Sequence, residues 1–256
     1  MSTITLSPQA LSIIEKYLHF QVGSAVCSIP YFNNKTLRSR AGLRALIGKG
    51  SIKDITDEVH AFMVKQHISP ETISSESLKK LLVDMKIGID CSAFTYYVLD
   101  AELAQTQRGS LKSRIHFIHS TGIIGNIRTM MRPIENCDVA TFADDSNSSI
   151  VPISEVKPGN MITMLGGPDS MNRDHILVIH AVDIHENIPQ KIYYSHTMAY
   201  PEDGVYGTGI KQGTISITDP AKDIIDQEWN ENGKHGIDLP LFTRAQKSTT
   251  QLRRLK

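Results

Sequence analysis

The chain has 256 residues and carries 27 Lys and Arg against 27 Asp and Glu, so its formal net charge is +0. This length is enough for one elaborated domain with a buried core. A balanced charge provides no long-range attraction for phosphate backbones or anionic lipid, so the composition argues against a nucleic-acid-binding protein and a membrane-surface protein.

The three cysteines, Cys27, Cys91 and Cys137, are odd in number and form no CxxC pair. Neither a disulfide framework nor a zinc knuckle is expected, and a reducing compartment is the simpler interpretation. The N-terminal residues lack the basic region, apolar block and cleavage site of a signal peptide. Every apolar stretch is shorter than the roughly 18 residues that span a bilayer. By default the sequence predicts a cytoplasmic protein without a membrane span.

The N-terminal third is predicted to be mainly helical. Pro8, preceded by a serine and followed by apolar residues at helical spacing, indicates a helix near residues 8–20. Pro30–Asn34 is typical of a loop that ends a short extended segment. Ser51 and Ser69 are expected to begin two further helices.

The middle of the chain contains the next predicted helix, which follows the break at Gly88. This helix extends from Asp90 to about Ala104, and Cys91 lies in its first turn. Residues 112–155 indicate only strand fragments and loops.

The C-terminal half is predicted to form an antiparallel sheet. Turn-rich segments separate four β-prone runs. These runs are Met161–Leu165, His175–Ile184, Lys191–His196 and Gly213–Ile217. Helices followed by antiparallel strands indicate the α+β class. The last residues, 245–256, are polar and basic, which predicts a flexible tail.

Cys91 is the strongest candidate for a catalytic nucleophile. A cysteine in the first turn of a helix meets the positive end of the helix dipole and unpaired backbone N–H groups, which favour the thiolate and lower the pKa. Most free cysteines are instead small buried hydrophobic residues, and position alone leaves that alternative open.

A nucleophilic cysteine requires a base and a third group that orients the base. His175 lies five residues before His180 on one strand, so the two side chains are expected on opposite faces and only one can be the base. A hairpin around Asn187–Gln190 places His196 near the start of the His175 strand, where it can bond the far ring nitrogen of His175 and fix its tautomer. For any one of ten histidines, a surface or structural role is the alternative.

Four motifs resemble those of the NlpC family of papain-like cysteine peptidases, which are cell-wall hydrolases. Gly88–Phe94 resembles the D-C-S-G-[FL] signature, Val156–Ile162 resembles the L-x-P-G-D-L-[VI] turn, and Asp174–Ile179 resembles the S-H-V-G-I-Y strand. Tyr194–His196 falls where the family has its third polar residue. The motifs occur in the family's order over residues 86–200.

An upstream segment also resembles the family. Pro30–Asn34 is similar to P-Y-x-W-G-G, whose tyrosine supports the oxyanion site, yet it lies about sixty residues before Cys91. A helical insertion over residues 38–86 within one papain-like domain would account for this separation. Tyr31 is thus a candidate for oxyanion support, and a core or rim tyrosine is the alternative.

The resemblance implies a role for each candidate residue. Cys91 would be the nucleophile, His175 the general base and later acid, and His196 the orienting residue. Asp90 would cap the helix through its carboxylate. No cofactor is implied, and no metal is expected because the spacing of His175, His180 and His185 matches neither HExxH nor a Cys/His knuckle.

The substrate implied by the resemblance is a peptide or peptidoglycan fragment, cleaved between D-glutamate and a diamino acid of the stem. Departures at Ala93, Asn160 and Leu177 predict a tighter fit near the nucleophile than in typical members. Two alternatives remain: an amidase or acyltransferase that uses the same Cys-His pair on another amide or ester, and an inactive relative that binds a wall fragment or a protein. Without a signal peptide, an injected, phage-released or intracellular recycling enzyme is the more natural interpretation.

Overall fold

The computed structural model describes residues 1–33, 43–119, 122–166 and 174–256. Its helices are α1 Pro8–Leu18, α2 Ile52–Lys65, α3 Ser75–Asp84, α4 Cys91–Gln105, α5 Leu111–Arg114, α6 Gly122–Met131, α7 Val139–Ala143 and α8 Pro240–Gln246. Its strands are β1 Ser2–Thr5, β2 Phe20–Val22, β3 Ala25–Cys27, β4 Ser148–Ile150, β5 Met161–Leu165, β6 His175–His185, β7 Ile188–Met198, β8 Gly209–Ser216, β9 Glu228–Glu231, β10 Lys234–His235 and β11 Thr249–Leu255. The predicted α+β class is confirmed.

The strands of the main sheet run in the order β10-β9-β8-β7-β6-β5-β11-β4, and β1 pairs with β6 beside this path. All pairs in this sheet are antiparallel. The long β6–β7 hairpin turns at Glu186 and Asn187, which have φ angles of 52° and 66°. Two successive residues with positive φ match the right-handed twist of the flanking strands. The four predicted strands are present, and the hairpin turns just before the segment expected from the sequence.

Hydrophobic cores cover both faces of the sheet. Along β6, Ile176 and Val178 join the core that contains α1 and α4, whereas Leu177 and Ile179 join a second core with Trp229. This alternation follows from the two-residue period of a strand, and it explains why four successive residues of β6, 176–179, are apolar. Helix α4 therefore packs on one face of β6, the strand that begins with His175.

The N-terminal helices begin at the predicted caps, with one shift. Ser7 and Ser51 cap α1 and α2 through their side chains, as expected. The next helix begins after Ser74 and not at Ser69, because the Ser69 hydroxyl bonds the Glu71 backbone in a local turn. Helices α2 and α3 lie within the interval 38–86. Residues 38–42 of that interval, and Asn34, lie outside the described residues.

The predicted flexible tail at residues 245–256 is wrong. Residues Thr249–Leu255 form β11, which pairs with β5 on one side and β4 on the other. Leu252 is buried, and the buried Arg253 guanidinium bonds Asp145 and the hydroxyl and carbonyl oxygens of Ser148. The basic composition predicts exposure wrongly, because these hydrogen bonds pair the N–H groups of the arginine inside the sheet.

The region 112–155 is more helical than predicted, since α5, α6 and α7 lie there together with the short strand β4. Asp138 caps α7 by accepting the backbone N–H of Thr141 at 3.0 Å. Short helices of this kind give too few turns for a periodic pattern to be detected. Among the helices in the described ranges, none is long and apolar enough to cross a membrane.

Candidate active site

Cys91 is the first residue of α4, and the Asp90 side chain caps this helix. Asp90 Oδ1 accepts the backbone N–H of Ala93 at 2.8 Å and the hydroxyl of Ser92 at 2.9 Å. The carboxylate thereby satisfies an N–H group that the helix itself leaves unpaired. This cap fixes the direction in which the first turn presents the Cys91 side chain.

Lys49, which lies 41 positions before Asp90, hydrogen-bonds residues at the start of α4. Its ammonium group donates to Asp90 Oδ2 at 2.9 Å, to the Ser92 hydroxyl at 2.7 Å and to the Cys137 carbonyl at 3.2 Å. Burial lowers the pKa of Lys49, but the neighbouring Asp90 carboxylate outweighs this effect and raises it. Lys49 is therefore charged, and its positive charge lies beside Cys91. No motif in the sequence points to this lysine.

The Cys91 thiol lies where β6 and β7 separate. The β6–β7 ladder ends at the pair Val178 and Ser195, so the residues of β6 before Val178 have no ladder partner on β7. The backbone N–H of Ile176 lies close enough to the Cys91 sulphur to lower the pKa of its thiol. The thiol is therefore near the residue that follows His175.

His175 and His196 form a hydrogen-bonded pair across the same gap. His175 Nε2 lies 2.9 Å from His196 Nδ1, and both rings are buried. This is the contact that the hairpin register predicts. In the part of the chain that the structure describes, the thiol of Cys91 makes no hydrogen bond to the His175 ring, whose Nδ1 is the nitrogen not used by His196. Catalytic hydrogen bonds are often long before substrate binds, so this arrangement is compatible with a nucleophile and its base.

Glu231 extends the pair to a chain of three side chains. Its Oε2 lies 2.8 Å from His196 Nε2, and its Oε1 accepts the Tyr200 hydroxyl at 2.7 Å. Strand β8 lies between the strands of Glu231 and His196, so the Glu231 side chain crosses over β8 to make this contact. On β8, Gly213 leaves room for the Tyr194 ring, because a Cβ atom at Gly213 would lie 2.2 Å from the tyrosine oxygen.

Sequence reasoning missed Glu231. A signal existed, because Glu231 lies two residues after Trp229 on one strand and so shares its buried face. A carboxylate on an apolar face requires a partner. The sequence does not show, however, that β9 lies next but one to β7 in the sheet.

The protonation state of Cys91 differs from the one predicted. Burial raises the pKa of the Cys91 thiol to about 12, and Asp90 contributes to the rise, although the Ile176 N–H and Lys49 lower it. Burial, together with His196, holds the pKa of His175 well below 6.5. The expected low thiol pKa is therefore wrong, because loss of hydration outweighs the helix terminus. At neutral pH both groups are uncharged.

Tyr31 lies near the site through its main chain. It forms a parallel bridge with Ile89, and the Phe32 N–H donates to the Ile89 carbonyl at 3.2 Å, so the segment from Pro30 lies beside the residues before Cys91 despite the long separation in sequence. The Tyr31 hydroxyl accepts from the Asn33 amide at 3.2 Å. Asn33 lines the cleft at Cys91. The structure therefore brings the segment that contains Tyr31 next to the start of α4.

His180 lies apart from this chain. It occupies an irregularity of the β6–β7 ladder, and its Nδ1 lies 2.9 Å from the Ser195 hydroxyl. Burial lowers the pKa of His180 to about 4, so this ring is neutral at pH 7. Because His180 contacts Ser195 while His175 contacts His196, the two histidines have separate partners, as the strand argument predicts.

A cleft of about 390 Å³ opens at Cys91. Several described lining residues are acidic or amides, and Lys49 and His119 also face the cleft. The carboxylates are Asp90, Glu135, Asp138 and Asp174. Of these, Asp90 is paired with Lys49, Glu135 with Arg44, and Asp138 with His119. The cleft thus places charged side chains of both signs beside the apolar Ile47 and Val139.

Thiol labelling will test the protonation state. Burial raises the pKa of the partly exposed Cys27 to about 11, compared with about 12 for the buried Cys91. One pKa unit is a tenfold difference in thiolate, so we expect iodoacetamide at pH 7 to modify Cys27 at least about ten times faster than Cys91. Mass spectrometry of tryptic peptides measures both rates. Faster labelling of Cys91 would contradict the neutral state and restore a low-pKa thiol.

A scan against protein-family models and searches of curated proteins and of solved structures found no match to this chain. The assignment of a function therefore rests on the residues and geometry of the site.

Proposed function

We propose that the protein is a cysteine hydrolase of papain-like architecture that cleaves an amide bond. The observation that carries the proposal is the buried pair of His175 and His196, because His175 directly precedes Ile176, whose backbone N–H acts on the Cys91 thiol. A helix that begins with the nucleophile and packs against an antiparallel sheet that carries the base is the arrangement implied by the sequence motifs.

In the proposed reaction, Cys91 and His175 start as neutral groups. The sulphur attacks the amide carbonyl while His175 Nδ1 accepts the thiol proton, which gives a tetrahedral oxyanion and a positively charged imidazole pair. The Cys91 backbone N–H at the helix start, and the charge of Lys49 nearby, stabilise the oxyanion. His175 then returns the proton to the leaving amine, so the C–N bond breaks and an acyl thioester remains.

Water completes the cycle. His175 takes a proton from a water molecule, the hydroxide attacks the thioester, and the thiolate leaves and regains the proton. His196 holds the His175 ring throughout and shares the positive charge that forms in each half-reaction. The buried setting strengthens these interactions because the local dielectric constant is low.

The proposed substrate is a peptidoglycan stem peptide, cleaved before its diamino acid. The motif resemblance suggests this class, and Asp174 supports it, because this cleft carboxylate has no cationic partner among the described residues and can bind the free amino group of a diamino acid. An amidase or acyltransferase acting on another amide or ester uses the same chemistry, so the substrate must be decided by experiment.

The direct test is incubation of the protein with purified muropeptides, followed by mass spectrometry. We expect the wild type to release fragments that end at the D-glutamate to diamino acid bond, Cys91→Ala to release none, and the control Cys27→Ala to retain activity. Cleavage of another amide would favour the amidase alternative. Binding of muropeptides without any cleavage would contradict the proposal and favour an inactive relative.

The pH dependence of the reaction provides a second test. His175 must be unprotonated to accept the thiol proton, and its pKa is well below 6.5. His175 therefore stays neutral when the pH is lowered through 6.5. We expect kcat/KM to begin its acid-side decrease only at a pH clearly below 6.5. A profile measured from pH 4 to 9, with stability checked at each pH, decides this. An acid limb at or above pH 6.5 would contradict the assignment.

A further inference from the structure

We propose that Glu231 is a positioning residue that fixes the tautomers of His196 and His175, leaving Nδ1 of His175 free of a proton and ready to act as the base. The catalytic meaning of this inference rests on the proposed function. The tautomers themselves are a property of the protein without substrate, so they can be measured even if no substrate is found.

The positions of the protons in the row Glu231, His196 and His175 follow from which groups can donate a hydrogen bond. An ionised carboxylate only accepts hydrogen bonds, so the 2.8 Å contact with Glu231 requires a proton on His196 Nε2. In its neutral form His196 has one ring proton, which the contact with Glu231 places on Nε2 and which leaves Nδ1 as an acceptor. The 2.9 Å contact between the rings then requires a proton on His175 Nε2. His175 Nδ1 is consequently bare, as a general base must be.

The surroundings of Glu231 keep it ionised. Burial raises the pKa of Glu231, but the interaction with His196 and the hydrogen bond from Tyr200 outweigh this effect, so the pKa is lower than usual. The side chains of His196 and Glu231 are both 0% exposed. Water therefore cannot reach these side chains and replace their hydrogen bonds. The carboxylate of Glu231 thus determines which ring nitrogens of His196 and His175 carry a proton.

Without the carboxylate, the pair loses this preference. Both tautomers of a neutral histidine pair satisfy the contact between the rings, but one of them places the proton on His175 Nδ1 and blocks the base. A wrong tautomer in a related hydrogen-bonded system lowers kcat by about 10⁴-fold, as in the serine protease triad. Glu231 also stabilises the positive charge that the pair acquires when Cys91 loses its proton.

The test is nitrogen NMR on the full chain, labelled with ¹⁵N at its histidine rings. Spectra of His175→Gln and His196→Gln assign the two rings. In the wild type we expect His175 and His196 both to carry their proton on Nε2. A spectrum that shows the His175 proton on Nδ1 overturns the inference, whether or not the protein is active.

Two variants and one control complete the test. In Glu231→Gln, and in Glu231→Met, we expect the His175 proton to shift in part to Nδ1 and kcat on the cleaved substrate to fall roughly 100-fold or more, with KM changed less. Glu228→Gln makes the same exchange at an exposed position of the same strand and should alter neither quantity. If either folded Glu231 variant keeps both the wild-type tautomers and the wild-type kcat, the inference is wrong.

Discussion

Replacing His175 with alanine is expected to lower kcat by roughly 10⁴-fold, because the variant has no group to accept the thiol proton. The thiol of Cys91 has a pKa raised to about 12, so almost none of it ionises without a base at neutral pH. Initial rates on a muropeptide substrate, measured with excess substrate, give kcat for wild type and variant.

His180→Ala is the matched control, since it removes a histidine from the same strand at a position that contacts Ser195 instead of His196. We expect this variant to retain kcat within about threefold, a small change compared with loss of a general base. Circular dichroism should show that both variants are folded. Equal losses of activity in two folded variants would refute the assignment of His175 as the base.

Deleting residues 249–256 is expected to prevent stable folding. The deletion removes β11, which connects β4 to β5, and it removes the buried Leu252 and Arg253. A single buried leucine replaced by alanine costs about 2–5 kcal/mol, and a typical domain is stable by only about 5–15 kcal/mol. Loss of a whole internal strand should therefore exceed the stability of the protein.

Thermal unfolding followed by circular dichroism measures this effect. Thr249→Ala provides a control at an exposed position of the same strand and should lower the free energy of unfolding by less than about 0.5 kcal/mol. A truncated chain that unfolds cooperatively at the wild-type temperature would show that β11 is dispensable.

Local patterns predicted the parts of the fold that depend on neighbouring residues. The sequence predicts the serine caps of α1 and α2 and the first turn of α4, because a cap and its helix are adjacent in sequence. It also predicts the contact between His175 and His196, because a short hairpin determines which residues of its two strands lie opposite each other.

Other contacts depend on sheet order and on bonds between distant segments, which periodicity does not encode. Lys49 meets Asp90 across 41 positions, and Glu231 meets His196 across a strand that lies between them. The tail was mispredicted because Arg253 is read as solvent-exposed from composition, although Ser148 and Asp145 provide its partners. The depth of burial at Cys91, which reverses the expected pKa shift, also arises only from packing.

The three hydrogen bonds of Lys49 also connect the segment before α2 to the start of α4. The Tyr17 and Tyr97 hydroxyls hold the backbone carbonyls of Gly50 and Lys49, so the start of α2 is anchored to α1 and α4. An opening of this segment would break the Lys49 bonds to the cap of α4 at the same moment. We therefore expect the start of α2 and the start of α4 to open together, so that amide exchange at the start of α2 follows that at the start of α4.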